Sequence, residues 1–285
     1  MPLTVDEICE IALRSKKYSR MYAPVVRRIC REEYPKHEKD SDRVKAVKTK
    51  LHALYGAFAR EGSNARVGGL LDGVKNGDDL RHVSAEILKL HASTEERSAY
   101  VTEFYRYIFN RMDCSALLDI CCGYNPFSLP FMPEKPAEYR AADIDADAAP
   151  LINRYFKIQG LPALCECADI ADETPKHRAG AAFVFKTLPV LESQRAGRGF
   201  ELLEEIDADR IAVTYPLRSL GGREKGMGVN YAASFERSAE GRFAIADKTV
   251  IGNELIYIIE KPERGCSAAH AARNDTRVTG GIYDK

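Results

Sequence analysis

The stretch ALLDICCGYNP at residues 116–126 sets two adjacent cysteines against a glycine. Three kinds of chemistry compete for it: a metal or redox site, a buried strand end packed with small residues, or a loop that cradles a cofactor. Two acids downstream bear on the choice. Asp143 lies 24 residues after Asp119 and closes a second apolar run, and Asp169-Ile170 closes a third. An acid at the end of a second strand is placed to accept hydrogen bonds from a ribose diol, and one after a third can read an adenine amino group. Gly123 lets a backbone approach such a ligand with no Cβ in the way. The stretch lacks the G-x-G-x-x-G that suits a pyrophosphate, so a dinucleotide is disfavoured. A single-glycine loop with acids after strands one, two and three fits S-adenosylmethionine better. Each acid taken singly is more often a helix cap than a ligand contact; the register of the three is what points to a cofactor. For the metal alternative, Cys165-x-Cys167 puts two thiols on one strand face, but no His or Cys lies at zinc-ligand spacing nearby. No metal is expected, and Cys121 and Cys122 are expected to fill space as small hydrophobes beside the loop.

These residues can meet only if strands carry them to one sheet edge. Near-continuous apolar runs occur at 116–122, 139–145, 162–169, 181–188 and 210–216, with helix-compatible segments such as DADAAPLINRYFKIQG and ESQRAGRGFELLEEI between most of them. That alternation predicts an α/β fold with a doubly wound parallel sheet. Two last runs, FAIADKTV and ELIYIIEK, joined by IGN, predict a terminal hairpin. The first hundred residues are helical in pattern, with apolar stripes at Val5, Ile8, Ile11 and Ala12, at Val25, Val26, Ile29 and Cys30, and at Val44, Val47, Leu51, Leu54 and Tyr55. Gly56 marks a break, and GVKNGDD at 73–79 a turn. The expected division is a helical domain over 1–108, an α/β domain over 109–262 and a disordered tail over 263–285.

Charge is balanced overall, 42 basic against 42 acidic residues, but residues 1–60 hold 14 Lys or Arg against 8 Asp or Glu, an excess of +6. A basic N-terminal part on a neutral chain suggests a docking surface for phosphate groups, with ordinary solvated helix faces as the alternative. No run of eighteen apolar residues occurs, and the N-terminus carries acids where a signal peptide needs positive charge. A cytoplasmic location with reduced cysteines is expected, and no membrane partner.

Several segments are distinctive as a set: SKKY at 15–18, PVVRR at 24–28, LHALYGAF at 51–58, LHASTEER at 90–97, DICCGYNP at 119–126, FKTLPVLESQRAG at 185–197, YPLRSLGGREKGM at 215–227 and GNELIYII at 252–259. In order and spacing they resemble the Arm/Rmt aminoglycoside-resistance methyltransferases, from about residue 6 to 261. The resemblance implies a Rossmann-like class I S-adenosylmethionine-dependent methyltransferase domain with an N-terminal helical domain. It implies methylation of N7 of guanine 1405 in 16S rRNA within the 30S subunit, with resistance to 4,6-disubstituted deoxystreptamines. By motif, the family's cofactor contacts fall on Phe58, His91, Ala92, Ser93, Arg97, Cys121, Asp143, Asp169, Ile170, Phe185 and Gln194. The family commonly shows alanine-cysteine-glycine where this chain has Cys121-Cys122-Gly123, which leaves that loop contact open. Arg97 is suited to the methionine carboxylate, because a guanidinium binds a carboxylate in two-pronged fashion.

After the fourth strand, Phe185-Lys186-Thr187-Leu188-Pro189 lacks the Asn/Asp-Pro-Pro-aromatic set of exocyclic-amine methyltransferases, and no cysteine nucleophile for pyrimidine C5 stands there. A ring nitrogen such as guanine N7 needs neither, and catalysis becomes alignment without a general base. Lys186, at the active edge, is expected to position the target. Lys16, Lys17, Arg27, Arg28, Arg218, Arg223 and Lys225 are expected to contact rRNA phosphates. A monomer is expected. A small-molecule methyltransferase, or a non-catalytic RNA-binding module, would share parts of this pattern. The first would need a closed apolar pocket without a basic helical domain, the second a spoiled cofactor site.

Overall fold

The computed structural model describes residues 2–56, 58, 60–74, 80–217 and 227–262, with the backbone alone at 227–230. Helix α1 (Val5–Leu13) begins on a reciprocal cap: Glu7 N donates to the Thr4 hydroxyl and Thr4 N to the Glu7 carboxylate. Helix α2 (Ala23–Glu33) carries Pro24 in its first turn, where no backbone donor is needed. Helix α3 (Asp40–Leu51) runs into one π-helical turn, His52–Gly56. Ile8 and Ala12, Val25, Val26 and Ile29, and Val47 and Leu51 close a core of their own. Helices α4 (Ser63–Asp72), α5 (Leu80–Leu88), α6 (Ala92–Arg97) and α7 (Val101–Phe109) follow. Val67, Leu71, Ile87, Phe104 and Ile108 from this group pack into the core on one face of the sheet. These helices therefore pack with the sheet, and the separately cored helical unit ends near Gly56.

The strands are β1 (Ala116–Ile120), β2 (Glu138–Asp143), β3 (Cys165–Cys167), β4 (Ala179–Phe185), β5 (Ala208–Pro216), β6 (Ala244–Ile251) and β7 (Glu254–Glu260), in the order β3-β2-β1-β4-β5-β7-β6. The first five are parallel, and the hairpin inserts β7 antiparallel between β5 and β6. Helices α8 (Ala148–Ile158), α9 (Leu188–Gln194), α10 (Arg198–Glu205) and α11 (Met227–Ala239) complete the layers. The helix-compatible segment over 192–206 is divided between α9 and α10 at Gly197, whose φ of +83° few other residues adopt. Strand order reverses between β1 and β4, which opens a crevice at their carboxyl ends. The three-helix unit is pinned beside it by backbone bonds to the β2–α8 loop, Tyr22 N to Ile144 O at 2.7 Å and Ala146 N to Arg20 O at 2.8 Å.

Candidate functional site

A cleft of about 1050 Å³ lies over the carboxyl ends of β1, β2 and β4. Its floor is the opening stretch. Cys121 takes a left-handed φ of +55° as β1 ends, and Asn125 N closes a turn on Cys122 O at 2.9 Å. Gly123, at φ +51°, donates its amide to Asp143 Oδ2 at 2.7 Å. A Cβ at this glycine would sit 2.9 Å from His91 Cε1, so glycine is needed for both conformation and space. The second oxygen of Asp143 accepts from Asp145 N at 3.0 Å. Burial raises the Asp143 pKa, and the Gly123 amide works against that rise.

His91 packs its ring against Phe58 and Tyr124, with centroids 6.3 and 5.2 Å away. Burial, with the nearby cations of Lys186, Arg60 and Arg97, pushes its pKa down to about 4. It is neutral at pH 7, and its Nδ1 is shut from solvent without a partner. Ala92, expected at the cofactor, does not line the cleft; its N–H donates to Phe58 O at 3.3 Å and so holds Phe58 in place.

Arg97 is 2% exposed and meets a counter-ion absent from the sequence expectations. Its Nε and Nη2 donate to the two oxygens of Glu254, each at 2.8 Å, and Nη1 donates to Asn125 Oδ1 at 2.8 Å. The guanidinium packs against Phe104 and Phe185, an edge-to-face pair whose ring centroids lie 4.2 and 4.7 Å from Cζ. Burial would lower the Arg97 pKa, but the charge of Glu254 overrides it and raises it. Three of its five N–H groups are engaged here, leaving two for a ligand. Glu254 also holds Thr214 Oγ1 at 2.9 Å and Lys186 Nζ at 3.5 Å. Lys186 has a left-handed φ of +57°, and its Nζ reaches Glu96 at 2.7 Å and Ser93 O at 3.4 Å.

Asp119, read from sequence only as the first of three strand-end acids, is 1% exposed. One of its oxygens accepts from both Asn125 Nδ2 (2.8 Å) and Tyr139 OH (2.7 Å), and burial pushes its pKa up to about 7. Asp145, another missed acid, is buried on Tyr55 OH at 2.8 Å and Asn64 Nδ2 at 3.1 Å. Sequence offered one signal for both: a carboxylate inside an otherwise apolar run needs partners.

The structure brings Phe58, His91, Ser93, Arg97, Cys121, Asp143, Asp169, Ile170, Phe185, Lys186 and Gln194 to this one cleft. Arg28 departs from expectation. Read as a phosphate contact, it lines the cleft instead, with its guanidinium on Asp169 and Gln194. Arg27 is exposed, as are Lys16 and Lys17. Lys16 and Lys17 line a second groove with Arg20 and Arg60, and Tyr55 borders both groove and cleft. Arg218, Arg223, Lys225 and the tail over 263–285 lie outside the described residues. All seven described cysteines are free, and the Cys121 and Cys122 thiols have pKa values raised by burial. Among the described residues no group of His, Cys, Asp or Glu is arranged to hold a metal ion, and no helix is long and apolar enough to cross a membrane.

The cleft fits S-adenosylmethionine by its own donor set: a carboxylate at the second strand end, an arginine with two unused N–H groups, and an unpartnered buried nitrogen over a glycine cradle.

The ribosomal RNA methyltransferase (FmrO) family matches residues 14–258 of this chain. A 16S rRNA (guanine(1405)-N(7))-methyltransferase of Serratia marcescens is 35% identical over 260 residues, covering 91% of this chain and 99% of the relative. The crystal structure of the 16S rRNA methyltransferase RmtF in complex with S-adenosyl-L-homocysteine matches with a TM-score of 0.84 at 33% identity, over 92% of this chain and 100% of that one. The structure of the 16S rRNA methylase RmtB matches with a TM-score of 0.78 at 31% identity, over 92% and 100%. A match that runs from the end of α1 at Arg14 into β7, with relatives above 30% identity along nine-tenths of the sequence, shows that this chain belongs to the ribosomal RNA methyltransferase family.

Proposed function

We propose that this enzyme methylates N7 of guanine 1405 in 16S rRNA, using S-adenosylmethionine, and that it acts as a cytoplasmic monomer on the assembled 30S subunit. The observation that carries the reading is the single cleft that gathers Asp143, Arg97, Asp169 and Lys186 at the strand-order reversal, with a basic groove opening beside it at Tyr55. The relative from Serratia marcescens bears that activity in its name.

When bound, S-adenosylmethionine supplies an electrophilic methyl group. The chain's residues have the tasks of binding, alignment and exclusion of water. Asp143 accepts from the ribose hydroxyls, Asp169 and Ile170 face the adenine, and Arg97 takes the amino-acid carboxylate with its two unused N–H groups. Phe185 and His91 supply apolar walls. N7 of guanine has a free lone pair, so no proton must leave before attack and no general base is required. Neutral His91 is consistent with that. Lys186, tethered by Glu96 and Glu254, orients the target base at the cleft mouth. N7 lies on the major-groove edge, which an A-form helix hides, so the target must be displaced from its stack at a cost of a few kcal/mol. Lys16, Lys17 and Arg27 supply phosphate contacts, with Arg20 and Arg60 extending the groove. Methylation at N7 places a methyl group and a positive charge in the drug site, which supports resistance to 4,6-disubstituted deoxystreptamines.

The test is to map methylated positions on 16S rRNA from cells expressing the protein, and to measure tritiated methyl transfer to 30S subunits, free rRNA and small molecules. Methylation at guanine 1405 with a preference for 30S is expected. Transfer to a small molecule alone would overturn the reading.

A further inference from the structure

Helix α2 belongs to the separately cored N-terminal unit, yet Val25 and Arg28 of this helix line the cofactor cleft. Three residues apart, they share one helix face. Arg28 Nε donates to Asp169 Oδ2 at 2.7 Å and Nη2 to Asp169 Oδ1 at 3.1 Å, a two-pronged pair spanning 141 residues of sequence. Nη2 also donates to Gln194 Oε1 at 2.7 Å, and Nη1 to Glu32 at 2.9 Å. A guanidinium has five N–H groups, and four are committed. The Arg28 side chain is 17% exposed and that of Asp169 11%. This is not the free fork that a phosphate contact needs.

We infer that Arg28 is a specificity-determining positioning residue for the adenine end of the cofactor. The inference rests on the reading that Asp169 faces the adenine amino group. A carboxylate on a short strand-end loop can rotate, and a guanidinium fork across both oxygens removes that freedom. Each oxygen keeps a lone pair for one further donor. An ion-paired carboxylate only accepts, so it suits the amino group of adenine and rejects the carbonyl oxygen that hypoxanthine presents at the same position. Sites built on a specific hydrogen bond discriminate strongly, because the wrong ligand leaves a buried polar group unpaired. Gln194 is sorted by the same arginine: with its oxygen held by Arg28, its amide nitrogen lies toward Val190 O at 3.4 Å. The N-terminal unit thus supplies a wall of the cofactor site as well as a docking face.

The test compares wild type, Arg28→Gln and Arg28→Lys in calorimetry with S-adenosylhomocysteine and its hypoxanthine analogue S-inosylhomocysteine, beside binding of 30S subunits across a salt series. The wild type should favour the adenine compound. In Arg28→Gln that preference should fall roughly tenfold or more, the worth of one charge-assisted hydrogen bond, mainly through weaker binding of the adenine compound. Arg28→Lys, which keeps charge without the fork, should fall between, and the salt slope for 30S should not move. Equal loss for both compounds would mean that Arg28 only supports the fold, and the inference fails. Wild-type cofactor binding with a 30S salt slope reduced by about one would make Arg28 a phosphate contact, and the inference fails. Should Arg28→Gln not fold, the preference measured in Arg28→Lys decides, and an unchanged value there overturns the inference. A wild type that binds the compounds but leaves rRNA unmethylated would refute the functional reading alone; one that binds neither compound removes both.

Discussion

Glu254→Gln is the substitution on which the site's electrostatics can be judged. Glu254 is fully buried and is the carboxylate partner of Arg97 while also facing Lys186. It accepts two charge-assisted bonds of 2.8 Å from Arg97 and one of 2.9 Å from Thr214. Removing one member of a buried pair costs about 3–5 kcal/mol, because the partner charge stays behind. Glutamine keeps the shape but turns an N–H group toward a guanidinium that only donates, so about 4 kcal/mol is expected. At about 2–4 °C per kcal/mol for a domain of this size, the melting temperature should drop by roughly 8–16 °C. The chain has no tryptophan, so calorimetry or far-ultraviolet circular dichroism is the assay. Burial alone would raise the Glu254 pKa, but the charges of Arg97 and Lys186 hold it below the ordinary glutamate value of 4.5. Its stabilisation is therefore present above pH 4.5 and lost as pH falls through the lower folded value, and the gap between variant and wild type should shrink in that acid range. Saturating S-adenosylhomocysteine should narrow the gap at neutral pH, since its carboxylate restores a negative charge beside Arg97. Methylthioadenosine, which lacks that carboxylate, should not. A variant within about 1 kcal/mol of wild type, the size of an ordinary surface pair, or equal narrowing by both ligands, would refute the reasoning.

Asp143→Ala should weaken S-adenosylmethionine binding by about 1–3 kcal/mol through lost charge-assisted hydrogen bonds; unchanged calorimetric affinity with the fold intact would remove Asp143 from the site. Asp119 has a folded pKa of about 7 against 3.8 in the unfolded chain. Its contribution is complete below pH 3.8 and is lost as pH rises to 7. Relative to Asp119→Asn, wild type should lose stability between pH 4 and 7 in urea titrations, and parallel curves would contradict this. Arg27→Glu should leave cofactor binding alone, weaken 30S binding and lower its salt slope; wild-type affinity and slope would make this residue a merely solvated charge. Cys121→Ala with Cys122→Ala should fold and retain methylation with a loss of about 1 kcal/mol, and loss of a bound stoichiometric metal would show the thiols to be ligands.

What sequence showed well was whatever periodicity and strand ends encode. Apolar runs buried on both faces identified β1, β2, β4 and β5, and an acid closing a run put Asp143 and Asp169 at the sheet's active edge. Direction was not legible. Arg28 sits in PVVRR beside Arg27, and charge pattern treats the two alike, although their helix positions point one to solvent and one to an acid 141 residues on. Glu254 opens an apolar strand after a turn, where an exposed acid would be unremarked; only the antiparallel insertion of β7 beside β5 carries it under Arg97. The division of the cores was hidden for a similar reason. Helical pattern resumes after the break at Gly56, so periodicity alone does not show that the cores divide there because α4, α5 and α7 turn their apolar faces to the sheet.

Two left-handed residues that are not glycine, Cys121 and Lys186, end the adjacent strands β1 and β4 on either side of the strand-order reversal. Such conformations cost of order 1–3 kcal/mol each and persist only where the surroundings over-determine them. At Lys186 the restraints are explicit: its N–H donates to Thr214 O at 3.0 Å, and its Nζ is held by Glu96 and Glu254. At Cys121 the following residue is fixed by Cys122 N donating to Ala142 O at 3.1 Å. The strain turns the chain abruptly away from both strands, so the crevice stays open to a ligand while the sheet beneath remains packed. A β-branched residue at either position would be poorly tolerated, since φ near +55° crowds its branched Cβ against the backbone. A small Cys and a long unbranched Lys meet that restriction at the two points where the cleft requires close approach and reach.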